Sequence, residues 1–253
     1  MQINQQIVLV TGGARGLGAA ITTTLVHAGA KVVVNYFKSH ALAEQLQQQF
    51  PDQIFIYQTD VTDKIEVEQM FNAAKQHFGQ AITSIINNAL VDFKFNGEDR
   101  PKLTNLQWSE IQTQLDGAVH ACLNTLQAGL PDMQAQHFGR IVNIGTNLVQ
   151  NPVVPYHDYT AAKAALLAFT RTTAHELGEY GITVNMLSGG LLQTTDASHA
   201  TPQVVFDLIA SSTPLKKVVS PAEFADTVLF FLSPWSRVVT GQNLIVDGGL
   251  VKG

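Results

Sequence analysis

The sequence predicts an α/β fold: a doubly wound parallel sheet of seven strands with helices on both faces. Three observations carry this. Short apolar runs alternate with helix-length segments along the whole chain. Several of those runs lack a polar residue at every second position, as strands covered on both faces do. Of the 253 residues, 45% are hydrophobic and 14% charged, a balance that builds a large core.

The strands are expected at 7–10, 31–35, 54–57, 84–87, 140–144, 183–187 and 244–246, all read as buried. Helices are expected at 17–29, 40–49, 63–77, 105–131, 158–179, 201–211 and 221–232. Ser220 and Glu223 make a capping box with Pro221 at the first helical position. Thr104 with Gln107 offers the same logic, and Asp63 with Glu66 a weaker version. With no internal repeat, low-complexity tract or linker, residues 1–253 read as one domain. Ligands of such a sheet sit beyond the carboxyl ends of its strands.

Composition excludes several function classes. The net charge of -5 and the lack of a basic run argue against a nucleic-acid partner. Cys122 is the one cysteine, so there is no intramolecular disulfide or Cys-rich zinc site, which suits a reducing cytoplasm. Cys122 itself reads as a small core residue. No basic-then-apolar leader opens the chain and no 18-residue apolar run exists, so neither signal peptide nor membrane span is expected. The histidines lack metal-ligand spacing, so no metal is expected.

The chemistry begins at Thr11-Gly12-Gly13-Ala14-Arg15-Gly16-Leu17-Gly18, between the first strand and the first helix. Gly12 permits a tight turn, Gly16 lets backbone approach a phosphate, and Gly18 lets helix pack on strand. The helix N-terminus then presents free N–H groups to an anion. At the end of the second strand, Asn35-Tyr36-Phe37-Lys38 has no carboxylate to hold a ribose 2′-hydroxyl. Arg15 and Lys38 would instead meet a 2′-phosphate, which favours NADP(H) and leaves NAD(H) possible. Further along, Tyr159 and Lys163 are four apart on one helix, so they share a face. Thr146 ends the preceding strand, thirteen residues before Tyr159.

Together with Asn87-Asn88-Ala89 and the terminal Thr240-Gly241 and Val246-Asp247-Gly248-Gly249, these motifs resemble the classical short-chain dehydrogenase/reductase family over nearly the whole chain. The likeness in look is greatest to the 3-oxoacyl-[acyl-carrier-protein] reductases. The resemblance implies a Rossmann-like fold and hydride transfer between a nicotinamide and a carbonyl or alcohol. It implies Tyr159 as proton donor, Lys163 as the cation that lowers its pKa and bonds the nicotinamide ribose, and Thr146 as the hydroxyl holding the substrate oxygen. The magnitudes agree: bringing a phenol down from about 10 by about three units takes about 4 kcal/mol. A cation about 4 Å away at an effective dielectric of about 20 supplies that much. The resemblance also assigns the cofactor to Gly12, Ala14, Arg15, Gly16, Leu17, Gly18, Tyr36, Lys38, Asp60, Val61, Asn88, Ala89, Gly190, Leu192 and Thr194.

The chain departs from the family pattern at four places. Thr146 stands where serine is usual, keeping the donor but adding a methyl group. Gln114, in Gln114-Leu115-Asp116-Gly117, stands nearest to an asparagine that supports the lysine through water. Leu90 replaces a glycine after Asn88-Ala89 and could crowd the cofactor. Ser188-Gly189-Gly190 has glycine where proline is usual, which loosens that loop. Asn147, His157 and Asp158 flank the site, as substrate contacts or as loop hydrogen-bonders.

Residues 189–215 are expected to form a substrate lid carrying Leu191, Leu192, Thr195, Val204, Val205, Phe206 and Leu208. An apolar lid suits an acyl chain, a steroid or another hydrophobic carbonyl. Apolar positions Leu123, Leu126, Leu130, Leu166, Leu167 and Phe169 resemble the helix-pair interface of the family's dimers and tetramers, and Trp108 and Trp235 read as core or subunit contacts. The leading expectation is an NADPH-dependent reductase of a 3-oxoacyl thioester on acyl carrier protein or CoA, acting as a homotetramer or homodimer. The alternatives are an NAD(P)+-dependent alcohol dehydrogenase on another hydrophobic substrate and a weakly catalytic dinucleotide-binding sensor.

Overall fold

The computed structural model describes residues 1–93, 100–193, 195, 198 and 201–252. All seven expected strands form, as β1 (Ile7–Val10), β2 (Lys31–Tyr36), β3 (Ile54–Gln58), β4 (Ser84–Asn87), β5 (Gly139–Thr146), β6 (Ile182–Gly189) and β7 (Asn243–Val246). They make one sheet in the order β3-β2-β1-β4-β5-β6-β7, every pair parallel. The order reverses between β1 and β4, which opens a crevice at their carboxyl ends.

The core follows from strand alternation. Val8 and Val10 face one side with α1 (Gly16–His27) and α8 (Pro221–Leu232), packing with Ile21, Leu25, Phe224 and Phe231. Ile7 and Leu9 face the other side with α3 (Lys64–Phe78), α5 (Ala121–Gln136) and α6 (His157–Leu177), packing with Met70, Met133, Leu166 and Leu177. The remaining helices are α2 (His40–Gln49), α4 (Trp108–Leu115) and α7 (Gln203–Ser212).

Of the three capping signals, one forms in full and a second in half. The Ser220 hydroxyl accepts from Glu223 N, and Glu223 Oε2 accepts from Ser220 N at 3.0 Å. Asp63 accepts from Ile65 N and Glu66 N, while Glu66 turns back to Asp60 N instead of Asp63. The Thr104 signal fails: α4 begins at Trp108, where Gln107 and Glu110 form the box. The helix expected at 105–131 runs from Trp108 to Gln136, through a π turn at Asp116–His120 and past Pro131. Burial of Met133 in the core carries it beyond the proline.

Other expectations change as well. β7 closes the sheet edge with Leu244 exposed, so it is only partly buried. Leu126, Leu166 and Leu167 are already buried within the chain and belong to its own core, whereas Leu123 stays exposed. Trp108 and Trp235 are 68% and 81% exposed and take no part in that core. Cys122 is buried as expected. No described helix is long and apolar enough to cross a membrane.

Candidate functional site

The Gly-rich turn leaves β1 at the crevice. Gly12 and Gly16 hold φ of 61° and 52°, a region that favours glycine. A Cβ on Gly18 would lie 2.1 Å from Gly12 O and 2.8 Å from Asn88 Nδ2, so only glycine lets α1 start there. A Cβ on Gly16 would meet nothing nearer than Thr195 Cβ at 3.8 Å, so that side of the turn is open to a ligand. α1 starts at Gly16 without a side-chain cap or an acidic residue in its first turn. Its backbone N–H groups and positive dipole end therefore face the crevice, a fit to a dinucleotide pyrophosphate. Arg15 is the exposed N-cap residue, Leu17 packs against the core and Ala14 is buried in it.

The turn is held by polar struts that the sequence did not advertise. Asn35 Oδ1 accepts from Gly12 N at 3.1 Å, and Asn35 Nδ2 donates to Thr59 O at 3.0 Å. Thr11 Oγ1 accepts from Asn88 N and Ala89 N. Asn88 Nδ2 donates to Thr11 O at 2.9 Å and Gly12 O at 3.3 Å. Asn88 and Ala89 thus tie the end of β4 to the turn. Leu90 projects half-exposed rather than packing into it.

At the adenosine end, Tyr36 is buried and its hydroxyl is 2.6 Å from His40 Nδ1. Lys38 is exposed, with its ammonium 5.6 Å from the Phe37 ring centroid. Asp60 Oδ1 accepts from Thr62 N and Thr62 Oγ1, and Val61 O accepts from Asn124 Nδ2. Past β6, Gly190 lies against Asn147 and Asp247, which share a 2.9 Å hydrogen bond, and Leu192 packs on the core. Thr194 lies outside the described residues.

Thr146, Tyr159 and Lys163 come together where β5 ends and α6 begins, all three buried. The Thr146 hydroxyl is hydrogen-bonded to Tyr159. Lys163 Nζ donates to Ile144 O at 2.7 Å and lies 5.8 Å from the Tyr159 ring centroid. Here the electrostatics differ from the expectation. Burial pushes the Tyr159 phenol up to about 12, against the opposing bond from Thr146. Burial also brings Lys163 down to about 8. Burial sets the phenol here, with the Lys163 donor directed at Ile144 O, so Tyr159 holds its proton at neutral pH. Gln114 does not join this group: its Nε2 donates to Val91 O at 3.0 Å. Gly117, one turn on, approaches Val91 so closely that a Cβ would lie 2.7 Å from Val91 Cβ.

The site also recruits residues that no motif marked. Phe93 stacks on Tyr159, centroids 4.4 Å apart, and meets Tyr156 edge-on. Arg100 pairs with Asp158, the residue before Tyr159. Phe93 and Arg100 sit between β4 and α4, where periodicity carries no signal. His157 is exposed at the first position of α6. α7, within the segment expected as a lid, has no buried residue, and Val204 and Leu208 are exposed. Among the described residues, no cluster of three or more His, Cys, Asp or Glu could hold a metal ion.

Comparison with known proteins agrees with this architecture. A family model described as enoyl-(acyl carrier protein) reductase matches residues 12–251. The 3-oxoacyl-[acyl-carrier-protein] reductase FabG of Staphylococcus epidermidis is 31% identical, over 96% of this chain and 97% of that protein. A 3alpha-hydroxysteroid dehydrogenase of Mediterraneibacter gnavus is also 31% identical, over 98% of each. A crystal structure described as a candidate gluconate dehydrogenase of Agrobacterium tumefaciens superposes with a TM-score of 0.88 at 28% identity, covering 98% of this chain and 97% of that one. The crevice, the buried Thr146–Tyr159–Lys163 group and these matches lead to one conclusion: the chain belongs to the short-chain dehydrogenase/reductase family, oxidoreductases that use a nicotinamide dinucleotide to interconvert alcohols and carbonyls.

Proposed function

We propose that this protein is an NADPH-dependent reductase that converts the ketone of a 3-oxoacyl thioester to an alcohol. The observation that carries the reading is the protonated phenol of Tyr159, buried and hydrogen-bonded to Thr146 where β5 ends and α6 begins. At neutral pH the buried phenol carries its proton, the state from which a general acid for carbonyl reduction starts. A bound nicotinamide dinucleotide supplies the hydride. Thr146 donates to the substrate oxygen and fixes it beside the phenol. Tyr159 delivers the proton to that oxygen, and the nearby Lys163 ammonium stabilises the phenolate left behind. The turn from Gly12 to Gly18, with Ala14 and Leu17, cradles the pyrophosphate. Tyr36, Asp60 and Val61 would hold the adenosine, and Asn88, Ala89, Gly190 and Leu192 the nicotinamide half, a role the family resemblance also gives to Thr194. Gln114 acts as a brace on Val91. Residues 189–215 serve as the substrate lid of a single-domain chain.

The choice of NADPH rests on two exposed cations, Arg15 at the N-cap of α1 and Lys38 just past β2, with Asn35 already committed to the turn. The thioester rests on the reductase relatives, which act on acyl carrier protein derivatives by name. A CoA thioester presents the same reacting group. The Mediterraneibacter relative and the exposed apolar residues of α7 favour a second reading, oxidation of a hydrophobic secondary alcohol. Exposed Trp108, Trp235 and Val238 suit a homotetramer or homodimer, and light scattering that gives a monomer overturns that assignment. Cytoplasmic residence suits the free Cys122.

The test measures NADPH and NADH oxidation with acetoacetyl-CoA in wild type and Tyr159→Phe. The expected result is NADPH-dependent turnover that vanishes in the variant while NADPH binding persists. Turnover that survives in Tyr159→Phe overturns the assignment of the proton donor. Wild-type turnover confined to NADH overturns the cofactor assignment.

A further inference from the structure

The residues around Tyr159 that the reaction itself does not use form a stack. Asp158 begins it, in the first turn of α6, where a carboxylate is favoured by the helix dipole. Its carboxylate is almost wholly buried and pairs with Arg100, whose side chain is only 12% exposed. Above it the guanidinium lies 4.5 Å from the Phe93 centroid and 5.9 Å from that of Tyr156. Phe93 then lies nearly parallel to the Tyr159 ring, at 28° and 4.4 Å. Phe93 also meets Tyr156 at 82° and 5.3 Å.

Three features distinguish this stack from ordinary packing. An ion pair this buried gives little net stability, because desolvating both charges offsets their attraction. What it does supply is geometry: a planar guanidinium anchored on one side orients the ring against its face. Among the described residues, Arg100 Nε is also buried without a hydrogen-bond partner, a cost that a side chain free to turn to solvent would avoid. Finally, the ring so placed covers one face of the phenol that meets the substrate.

We propose that Phe93 is a specificity-determining residue of the substrate pocket, and that Arg100 and Asp158 are positioning residues that hold it against Tyr159. This rests on Tyr159 being the proton donor. With this ring against one face of the phenol, bulk on the carbon next to the substrate carbonyl is expected to meet Phe93, so an unbranched carbonyl is favoured. Phe93 is half-buried and its truncation leaves the sheet and both cores intact.

The experiment compares kcat/KM for acetoacetyl-CoA, 2-methylacetoacetyl-CoA and a 3-ketosteroid in wild type, Phe93→Ala, Phe93→Leu, Arg100→Gln and Asp158→Asn, with NADPH affinity and melting temperature as controls. Phe93→Ala is expected to move the branched-to-unbranched ratio up by about tenfold, the size of one added carbon in a fitted pocket. Arg100→Gln and Asp158→Asn are expected to move the same ratio in the same direction. Neither should add to it in a Phe93→Ala background, because the pair acts through that ring. A ratio unchanged in both Phe93 variants overturns the specificity role. Ratio shifts from Arg100→Gln that persist undiminished in the Phe93→Ala background overturn the positioning role. Wild type inactive on all three carbonyls overturns the reductase reading, and this inference with it. Tyr159→Phe inactivity combined with an unmoved ratio overturns this inference alone.

Discussion

Replacing Gly18 with alanine tests whether the glycine turn is built for close approach. The added Cβ would sit 2.1 Å from Gly12 O, where Cβ contacts essentially never fall below 3.0 Å, so the turn or the helix must move by about 1 Å. The turn cannot yield freely. Gly12 N is held by Asn35 and Gly12 O by Asn88, and Asn88 Nδ2 itself would lie 2.8 Å from the new methyl. Overpacking of this kind costs about 1–3 kcal/mol. At this chain length that lowers the melting temperature by about 2–4 °C per kcal/mol. Cofactor binding needs the same turn undistorted, so NADPH affinity should fall by at least about tenfold, or about 1.4 kcal/mol. The matched control is Gly178→Ala. Its Cβ would meet nothing within 4 Å, and its φ of -58° suits any residue. It should be neutral or stabilising by about 0.4–1 kcal/mol. Thermal unfolding and a fluorescence titration with NADPH read both quantities. Gly18→Ala that melts and binds NADPH like wild type would refute the close-approach argument.

Other expectations follow from the same geometry. Lys163 is held at about 8 against an ordinary 10.5, so the unfolded chain binds its proton more tightly. Its contribution to stability is therefore least below pH 8 and grows by about 3 kcal/mol as pH rises towards 10.5. Lys163→Met should flatten that rise in a comparison of unfolding free energies at pH 7 and pH 10, and parallel pH curves would contradict the burial argument. Lys38→Ala should weaken NADPH by about tenfold or more through loss of one charge-assisted phosphate contact. NADH binding should stay unchanged in the same titration, and equal losses for both nucleotides would remove Lys38 from the 2′-phosphate. Ser220→Ala should cost about 1 kcal/mol in chemical denaturation by removing the cap of α8. A neutral result there would mean that the first turn of α8 draws its stability from Phe224 in the core rather than from its cap.

Much of the site was legible because its chemistry is local. The glycine turn must follow a strand and open a helix, and Tyr159 and Lys163 must share a helical face. Both constraints are written as spacing. The alternation of apolar runs likewise gave all seven strands. Boundaries were less legible where a tertiary contact overrode local preference. Met133 in the core carries α5 through Pro131, and Gly117 against Val91 accompanies the π turn inside the expected helix. Leu126, Leu166 and Leu167 read as surplus apolar residues available to a partner, yet the far side of the sheet takes them up.

The sequence by itself determined the fold class and the glycine cradle, which depend on residues near one another or on periodicity, and its family resemblance pointed to the Thr146–Tyr159–Lys163 group. Only the tertiary structure decided how those groups are tuned. A pKa depends on burial and on the direction of donors, so the phenol at about 12 and the Lys163 bond to Ile144 O emerge only once β5 and α6 are packed together. The same holds for the wall of Phe93 and its anchor. Phe93 and Asp158 are 65 positions apart in the chain, and no spacing rule joins a loop residue to a helix it meets only in the folded molecule.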